Sequence, residues 1–176
     1  MKPASEVLNL GCGRKRIDLA VNVDINPEVG ADLVYDLNHR PWPLPDNHFA
    51  TVHAYDIIEH CSDFIGTMEE IHRTCRNEAA VYVTVPHFSS ANAFTDPTHC
   101  HFFGYQSFSY VTGDHEFSFY TSRRFRHRVS QLVFQPTLFN KLLHRVANRW
   151  PTAYEKRWAW VFPAWFMYFE LQVVKG

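Results

Sequence analysis

The chain has 176 residues, which is enough for one domain with a sizeable core and too few for two ordinary ones. Its 46% hydrophobic and 20% charged residues, without a low-complexity tract, are typical of a globular protein and exclude a disordered or fibrous one. The four cysteines are scattered without a CxxC pair, and the first residues do not form a signal peptide. These features favour free thiols in a reducing compartment, so we expect a cytoplasmic location.

The net charge of −1 conceals an asymmetry between two parts of the chain. Residues 1–100 contain 7 Lys/Arg and 14 Asp/Glu, a net of −7, whereas residues 101–176 contain 10 and 4, a net of +6. A basic face favours an anionic partner through long-range attraction. It can equally balance the acidic part of the chain or remain solvated, so both interpretations stay open.

The first part of the chain alternates short apolar runs with other segments, which is typical of a parallel α/β sheet. Strands are predicted over 7–10, 20–24, 32–37, 51–56 and 79–85. Between the last two, Ser62 and Asp63 suit the start of a helix. Apolar residues then recur at helical spacing from Ile65 to Cys75, so this helix buries one face.

The second part of the chain is less regular. Residues 86–125 have no clear period and are dense in Phe, His, Ser and Tyr, which favours a substrate lid. A strand over 126–134, a helix over 136–148 and a final strand over 164–174 are predicted to follow. The apolar run 158–169 is shorter than the roughly 20 residues of a membrane span and contains Pro163. We interpret it as core strands, with a Trp- and Phe-rich segment resting at a membrane interface as the alternative.

Several residues at the ends of the predicted strands suit a nucleotide-like ligand. Gly11 and Gly13 follow the first strand and let the backbone approach a ligand closely, because neither carries a Cβ. Asp24 ends the second strand, where an acid can accept both hydroxyls of a ribose. Asp24 follows the glycines much sooner than the roughly 20 residues of a dinucleotide-binding fold, which argues against NAD.

These motifs resemble those of class I, Rossmann-like S-adenosylmethionine-dependent methyltransferases, in particular a type 11-like bacterial subgroup. The first is Leu8-Asn-Leu-Gly-Cys-Gly13, the second is Val21-Asn-Val-Asp-Ile-Asn26, and the fourth-strand motif is Ala54-Tyr-Asp-Ile-Ile-Glu-His60. Asp96-Pro-Thr-His99 and the tail of the chain resemble some members with lower specificity.

The resemblance implies one methyltransferase domain over 1–176, with a substrate lid at about 86–125. Its α/β sheet should be mostly parallel with an antiparallel last strand and helices on both faces. Only Arg14 to Asp18 separate Gly13 from the approach to the second strand. The first helix is therefore expected to be shortened to about one turn.

By position, the resemblance also implies S-adenosylmethionine as cofactor. Gly11 and Gly13 would let the loop pass beneath its methionine part, and Asp24 would bind its ribose hydroxyls. The implied cofactor-binding residues are Asn9, Gly11, Cys12, Gly13, Asp24, Ile25, Asp36, Leu37, Tyr55 and Asp56.

Methyl transfer from a sulfonium requires an acceptor held in line with water excluded. A hydroxyl acceptor benefits from a general base near neutral pKa, which histidine supplies. We favour His99, in the predicted lid, and then His60 as catalytic residues. The further candidates are His87, His101 and His115, and any of these histidines can instead be structural.

The same histidines raise the question of a metal. His99-x-His101 can supply two ligands, with Glu59, His60 or His87 completing a site. The spacing matches no standard pattern, and histidine-rich loops are common without metal. The sequence therefore predicts no metal site.

The resemblance leads us to expect methyl transfer to a small-molecule acceptor, a sugar or other anionic metabolite, or an aromatic molecule stacked on the lid aromatics. One alternative is an RNA methyltransferase. Arg123-Arg-Phe-Arg126 is the single hint of it, because basic residues interleaved with stacking aromatics are not otherwise evident, and nucleic acid is therefore not favoured. Another is a non-catalytic Rossmann-like binding or scaffold protein. No membrane span is expected, and the oligomeric state does not follow from the sequence.

Overall fold

A seven-stranded sheet forms the centre of the structure, a computed structural model that describes residues 5–113, 116 and 118–176. Its strands are β1 (Val7–Leu10), β2 (Val21–Asp24), β3 (Leu33–Val34), β4 (Phe49–Tyr55), β5 (Cys75–Pro86), β6 (Arg124–Val133) and β7 (Phe166–Val174). The order across the sheet is β3-β2-β1-β4-β5-β7-β6. The strands β1 to β5 pair in parallel, whereas β7 runs antiparallel to both β5 and β6. The predicted mostly parallel sheet with an antiparallel last strand is confirmed.

Helices connect and flank these strands. They are α1 (Phe64–Thr74), α2 (Asn92–Thr95), α3 (Ser109–Thr112), α4 (Leu138–Arg149) and α5 (Pro151–Arg157), with 3₁₀ turns at Pro27–Val29, Ile58–His60 and Ser118–Tyr120. The helix predicted after the fourth strand is confirmed as α1: Asp63 caps it by accepting a hydrogen bond from the Gly66 N–H at 3.0 Å. Met68 and Ile71 bury one face of this helix in the core. Among the described residues, no helix is long and apolar enough to cross a bilayer.

The connection between β1 and β2 lacks the single helical turn that was expected. Residues 11–20 contain turns but no helical segment. The side-chain amide of Asn22 organises this connection instead: its Oδ1 accepts from Asn9 Nδ2 and from the Ile17 N–H, both at 2.9 Å, and its Nδ2 donates to Asp32 Oδ2 at 2.8 Å. A buried amide with all its hydrogen bonds made therefore holds a segment that a helix would ordinarily hold.

The two faces of the sheet differ in burial. On one face the alternating residues of β5 and β7, such as Val81, Val83 and Phe169, are inaccessible to water, because helices and the segment after β5 pack against them. The opposite face, which we call the open face, carries the half-buried side chains His53, Tyr82, Tyr168 and Glu170. The core of the domain therefore lies mainly on one side of the sheet.

The interpretation of residues 158–169 as core strands is wrong for the first half of that run. A helix that was not predicted, α5, ends at Arg157, and Trp158, Trp160 and Val161 are exposed in the turn that follows. The hydroxyl of Tyr154 donates to the Phe162 carbonyl at 2.7 Å and fixes this turn. The final strand begins at Phe166, close to its predicted start.

Candidate functional site

The loop from Gly11 to Gly13 lies at the carboxyl end of β1. In the sheet, β1 has β2 on one side and β4 on the other, so the strand order changes direction at this point. Both glycines have positive φ, +58° and +48°, which other residues adopt only with strain. A Cβ on Gly11 would lie 2.5 Å from Cγ1 of Ile57, so this glycine is required by packing inside the protein. Gly13 has no heavy atom within 4 Å of its added Cβ, so its backbone borders open space that a ligand can occupy.

Asp24 fixes this loop to the end of β2. Its Oδ2 accepts a hydrogen bond from the Gly13 N–H at 2.7 Å, and its Oδ1 accepts from the Asn26 N–H at 2.9 Å. A carboxylate oxygen has two acceptor sites, so each oxygen can still accept a ligand hydroxyl. Ile25 beside it exposes 65% of its surface and offers an apolar contact.

The other predicted cofactor residues divide into two groups. Asn9, Cys12 and Leu37 are buried and support the site from beneath it. Burial also raises the pKa of the Cys12 thiol, which makes it a poor nucleophile. Asp36, two residues after β3 ends, accepts a hydrogen bond from the Asn38 N–H at 2.9 Å and remains partly accessible.

The last two predicted cofactor residues, Tyr55 and Asp56, are both exposed at the end of β4 but have different partners. The Tyr55 hydroxyl lies 2.9 Å from Nδ1 of His53, on the open face. Asp56 has a positive φ of +55°, and its Oδ1 accepts a hydrogen bond from Thr84 Oγ1 at 2.7 Å. This bond holds the Asp56 carboxylate at the carboxyl end of the sheet, where open α/β sheets bind their ligands.

A cleft of about 500 Å³ opens at the carboxyl ends of β4 and β5. It is lined by Asp56, Glu59, His60, Pro86, Asn92, Thr95, Asp96, Pro97, His99 and Phe166. Both catalytic candidates, His60 and His99, lie in this cleft, with ring centroids 4.6 Å apart in an edge-to-face arrangement. Burial, and secondarily the neighbouring His99, lowers the pKa of His60.

The hydrogen bonds of these two histidines determine which ring nitrogen carries hydrogen. Nδ1 of His99 lies 3.1 Å from the Ala93 carbonyl, which can only accept. Nδ1 of His60 lies 2.8 Å from Thr98 Oγ1, whose own hydrogen is donated to Asp96 Oδ1 at 2.7 Å. Both Nδ1 atoms are therefore donors, and both Nε2 atoms of the neutral rings keep a free lone pair.

Glu59 is the functional candidate that sequence reasoning undervalued. It is 1% exposed, and burial raises the pKa of its carboxyl to about 8. Its Oε1 lies 4.0 Å from Nε2 of His99, and within the described part of the chain neither of its oxygens has a hydrogen-bond partner. The Glu-His pair that ends the fourth-strand motif was the available signal.

The remaining histidine candidates lie elsewhere or outside the described residues. His87 is completely buried and hydrogen-bonds through Nδ1 to Ser89 Oγ and through Nε2 to Glu155 Oε1, so its role is structural. His101 packs near Phe103, away from the cleft. His115 lies outside the residues that the structure describes.

The aromatic residues of the segment 86–125, which the sequence predicted as a lid, fall into different environments, and Phe94, Phe102, Phe103 and Phe108 illustrate them. Phe103 and Phe108 belong to the hydrophobic core, because they pack on each other and on Phe64 of α1. Phe94 and Phe102 are more than half exposed and stack on each other, with centroids 4.8 Å apart. Phe119 and Tyr120 are the other exposed aromatic residues of the described part of this segment.

The basic residues of the second part of the chain lie away from the cleft. Arg124, Arg126 and Arg128 belong to β6, and Arg145 and Arg149 belong to α4. The described residues that line the cleft include three carboxylates and no lysine or arginine. The charge asymmetry of the sequence therefore does not make this cleft basic.

Comparisons with known proteins give the fold a name. No protein-family model matches the chain, and no curated protein matches it. Solved structures do: a SAM-dependent methyltransferase from Archaeoglobus fulgidus shares 18% identity, with a TM-score of 0.63 over 94% of this chain and 85% of that one. The [4+2]-cyclase SpnF shares 15% identity, with a TM-score of 0.62 over 100% of this chain and 78% of that one.

A third similar structure contains the cofactor. Phosphoethanolamine N-methyltransferase 2 of Haemonchus contortus, in complex with S-adenosyl-L-methionine, shares 12% identity, with a TM-score of 0.58. The match covers 99% of this chain and 50% of that one. Together with the strand order, these likenesses show that the chain has the class I, Rossmann-like methyltransferase fold.

Proposed function

We propose that the protein binds S-adenosylmethionine at the Gly11–Gly13 loop and transfers its methyl group to a hydroxyl of a small, sugar-like acceptor held in the cleft. The observation that carries this proposal is the pairing of Gly13 with Asp24. It leaves the glycine backbone facing open space and leaves acceptor sites free on the carboxylate. Exposed Ile25 adds an apolar surface for an adenine ring.

S-adenosylmethionine supplies an electrophilic methyl group on a sulfonium, which needs little further activation. The residues of this chain then have to orient the acceptor, exclude water and take a proton. Nε2 of His99 and Nε2 of His60 have free lone pairs in the cleft, so either can accept the proton of an acceptor hydroxyl. We assign His99 as the first choice because its ring is more buried and held by a main-chain carbonyl.

The chemistry of the cleft favours a neutral, hydroxyl-bearing acceptor over the other classes. Two carboxylates, Asp56 and Asp96, without a lysine or arginine among the described lining residues, disfavour an anionic metabolite and an RNA backbone, because like charges repel. Exposed Phe94 and Phe102 at the neighbouring lid suit the apolar face of a sugar ring or a small aromatic. SpnF, named for a cyclisation, is a reminder that the fold does not define the reaction.

Calorimetric titration with S-adenosylmethionine and S-adenosylhomocysteine tests cofactor binding. Asp24→Ala should weaken binding about 10- to 100-fold, because hydrogen bonds to a charged group are each worth about 1.5–3 kcal/mol. Glu28→Gln, an exposed acid in the next turn, is the matched control and should bind normally. If the folded protein binds neither compound, a non-catalytic scaffold function replaces this proposal.

Transfer of isotopically labelled methyl to a panel of hydroxylated sugars then tests the reaction. His99→Ala should reduce turnover about 100-fold or more at neutral pH while cofactor affinity is retained, since general-base catalysis contributes on this scale. Labelling of phosphorylated sugars or RNA in preference to neutral sugars would overturn the assignment of the acceptor class.

A further inference from the structure

Three side chains that reach the cleft from two separate segments lie at metal-ligand spacing. Glu59 and His60 follow β4 in a 3₁₀ turn, and His99 comes from the segment after α2. Each offers one ligand atom, and these atoms all lie within 4.8 Å of one another. Residues far apart in sequence thus present one carboxylate and two imidazoles to a single point.

The two histidines are oriented as metal ligands generally are. In metal sites the second ring nitrogen of a ligating histidine donates to a carbonyl or to a carboxylate-linked group, which fixes the tautomer and the ring. His99 makes such a bond to the Ala93 carbonyl, and His60 makes it through Thr98 to Asp96. Both Nε2 atoms are left as unprotonated donors of electron pairs.

Glu59 supplies the independent observation. Its side chain is 99% buried, and neither oxygen has a hydrogen-bond partner in the described part of the chain. A buried carboxyl without partners is costly, and a buried carboxylate is ordinarily paired or coordinated to a metal. With no lysine or arginine among the described residues lining the cleft, no side-chain cation meets this need.

We propose that Glu59, His60 and His99 form a binding site for one divalent first-row transition metal ion. Two imidazole nitrogens and one carboxylate suit Zn²⁺, Co²⁺ or Mn²⁺, whereas Mg²⁺ and Ca²⁺ prefer oxygen ligands. Three protein ligands leave a coordination position directed to the cleft, as in catalytic rather than structural sites. Asp56 and Asp96, which line the same cleft, add negative charge that attracts a cation.

The site changes how an acceptor would be activated, and this part rests on the proposed function. A bound divalent ion lowers the pKa of a hydroxyl that occupies its open position, so that the hydroxyl loses its proton to solvent near neutral pH. With an ion bound, the Nε2 lone pairs of the two histidines are occupied, so the assignment of a histidine base applies to the ion-free cleft. The ion also offsets part of the negative charge that the carboxylates give the cleft.

Metal binding can be tested without cofactor or acceptor, so its failure is distinct from failure of methyl transfer. The full chain, freed of metal with a chelator, is titrated with Co²⁺, Zn²⁺ and Mg²⁺ by calorimetry and, for Co²⁺, by visible absorption. We expect one Co²⁺ or Zn²⁺ per chain, d–d bands of a low-coordinate site, and at least about tenfold weaker binding of Mg²⁺.

Glu59→Gln and His99→Ala should each weaken Co²⁺ binding about tenfold or more and remove the bands. Circular dichroism verifies that both variants fold, and Glu59→Gln preserves side-chain size. Two controls test other donors: Cys100→Ser removes an exposed thiol next to the cluster, and His39→Gln removes an exposed imidazole outside it. Both should bind normally.

Binding that persists unchanged in folded Glu59→Gln and His99→Ala, binding lost with Cys100→Ser, or no stoichiometric binding of Zn²⁺ or Co²⁺ by the wild type would each overturn the proposal.

Discussion

Nε2 of His87, a residue without any exposed surface, lies 3.2 Å from Oε1 of Glu155 on α5. The same carboxylate oxygen accepts a hydrogen bond from the Tyr105 N–H at 2.6 Å. Glu155 thus hydrogen-bonds to residues near both ends of the segment 87–105, which forms one wall of the cleft.

Removing this carboxylate should loosen that segment. Glu155→Ala leaves the buried imidazole and the Tyr105 amide without their partner, so we expect a loss of about 1–3 kcal/mol in the free energy of unfolding. Urea denaturation measures this, with Lys156→Ala, an exposed neighbour on the same helix, as the control. Equal stability of the two variants would show that the bonds to Glu155 contribute nothing.

The two glycines of the cofactor loop should respond differently to the same substitution. Gly11→Ala places a methyl group against Ile57, so it should destabilise the fold by about 1–3 kcal/mol beyond the cost of positive φ. Gly13→Ala has room in the protein and should instead weaken cofactor binding by narrowing the open space. Thermal unfolding and calorimetry on both variants check this pair, and the reverse ranking would contradict the assignment of the loop.

Asn22 offers a test of how the loop is held without a helix. Asn22→Asp replaces a side-chain donor with a carboxylate oxygen facing Asp32, and like charges repel. We expect lower stability and weaker cofactor binding together, because the loop loses its hydrogen-bonded anchor. Asp18→Ala, in the exposed part of the same loop, should change neither property. A stable Asn22→Asp protein that binds cofactor normally would refute this account.

His72 should make folding sensitive to acid. Burial lowers its pKa below the usual value, with Lys175 and Arg123 contributing in the same direction and the Val174 carbonyl and Glu69 opposing. The unfolded chain therefore takes up a proton first as pH falls below about 6.5, and stability decreases as pH falls from there towards the lower pKa of the folded state.

The slope of unfolding free energy between pH 5 and pH 8 tests this effect, as the difference between wild type and His72→Gln. The variant should show a smaller loss of stability on acidification, by about 1.4 kcal/mol for each unit of pKa shift. His39→Gln, a highly exposed histidine, is the control and should keep the wild-type slope. Parallel curves for wild type and His72→Gln would contradict the prediction.

The parts of the fold that the sequence predicted best are those with short-range signals. The strands around Leu8, Val23 and Val81 were recognisable because each is a short run rich in apolar and β-branched residues, bounded by polar or turn residues. The start of α1 was recognisable from Asp63, because an Asp before a helical apolar pattern is a common capping residue. These features depend on neighbouring residues alone, so a single sequence is enough to predict them.

The sequence named Glu59, His60 and His99 among several possible ligands but could not select this set, because the fold between residues 60 and 99 decides which side chains meet. The sequence paired His99 with its near neighbour His101, whereas the chain direction there sends His101 towards Phe103. Trp160 was assigned to the core because apolar character does not reveal exposure. Long-range contacts and the position of α5 were the missing information.

The open face of the sheet has a thermodynamic consequence. A sheet whose second side stays half in contact with water buries less apolar surface on folding than one covered on both sides, and the heat capacity of unfolding scales with that surface. We therefore expect a smaller heat capacity of unfolding than for a sheet of the same size that is covered on both faces. The curve of stability against temperature is correspondingly flatter, so the free energy of unfolding varies less with temperature.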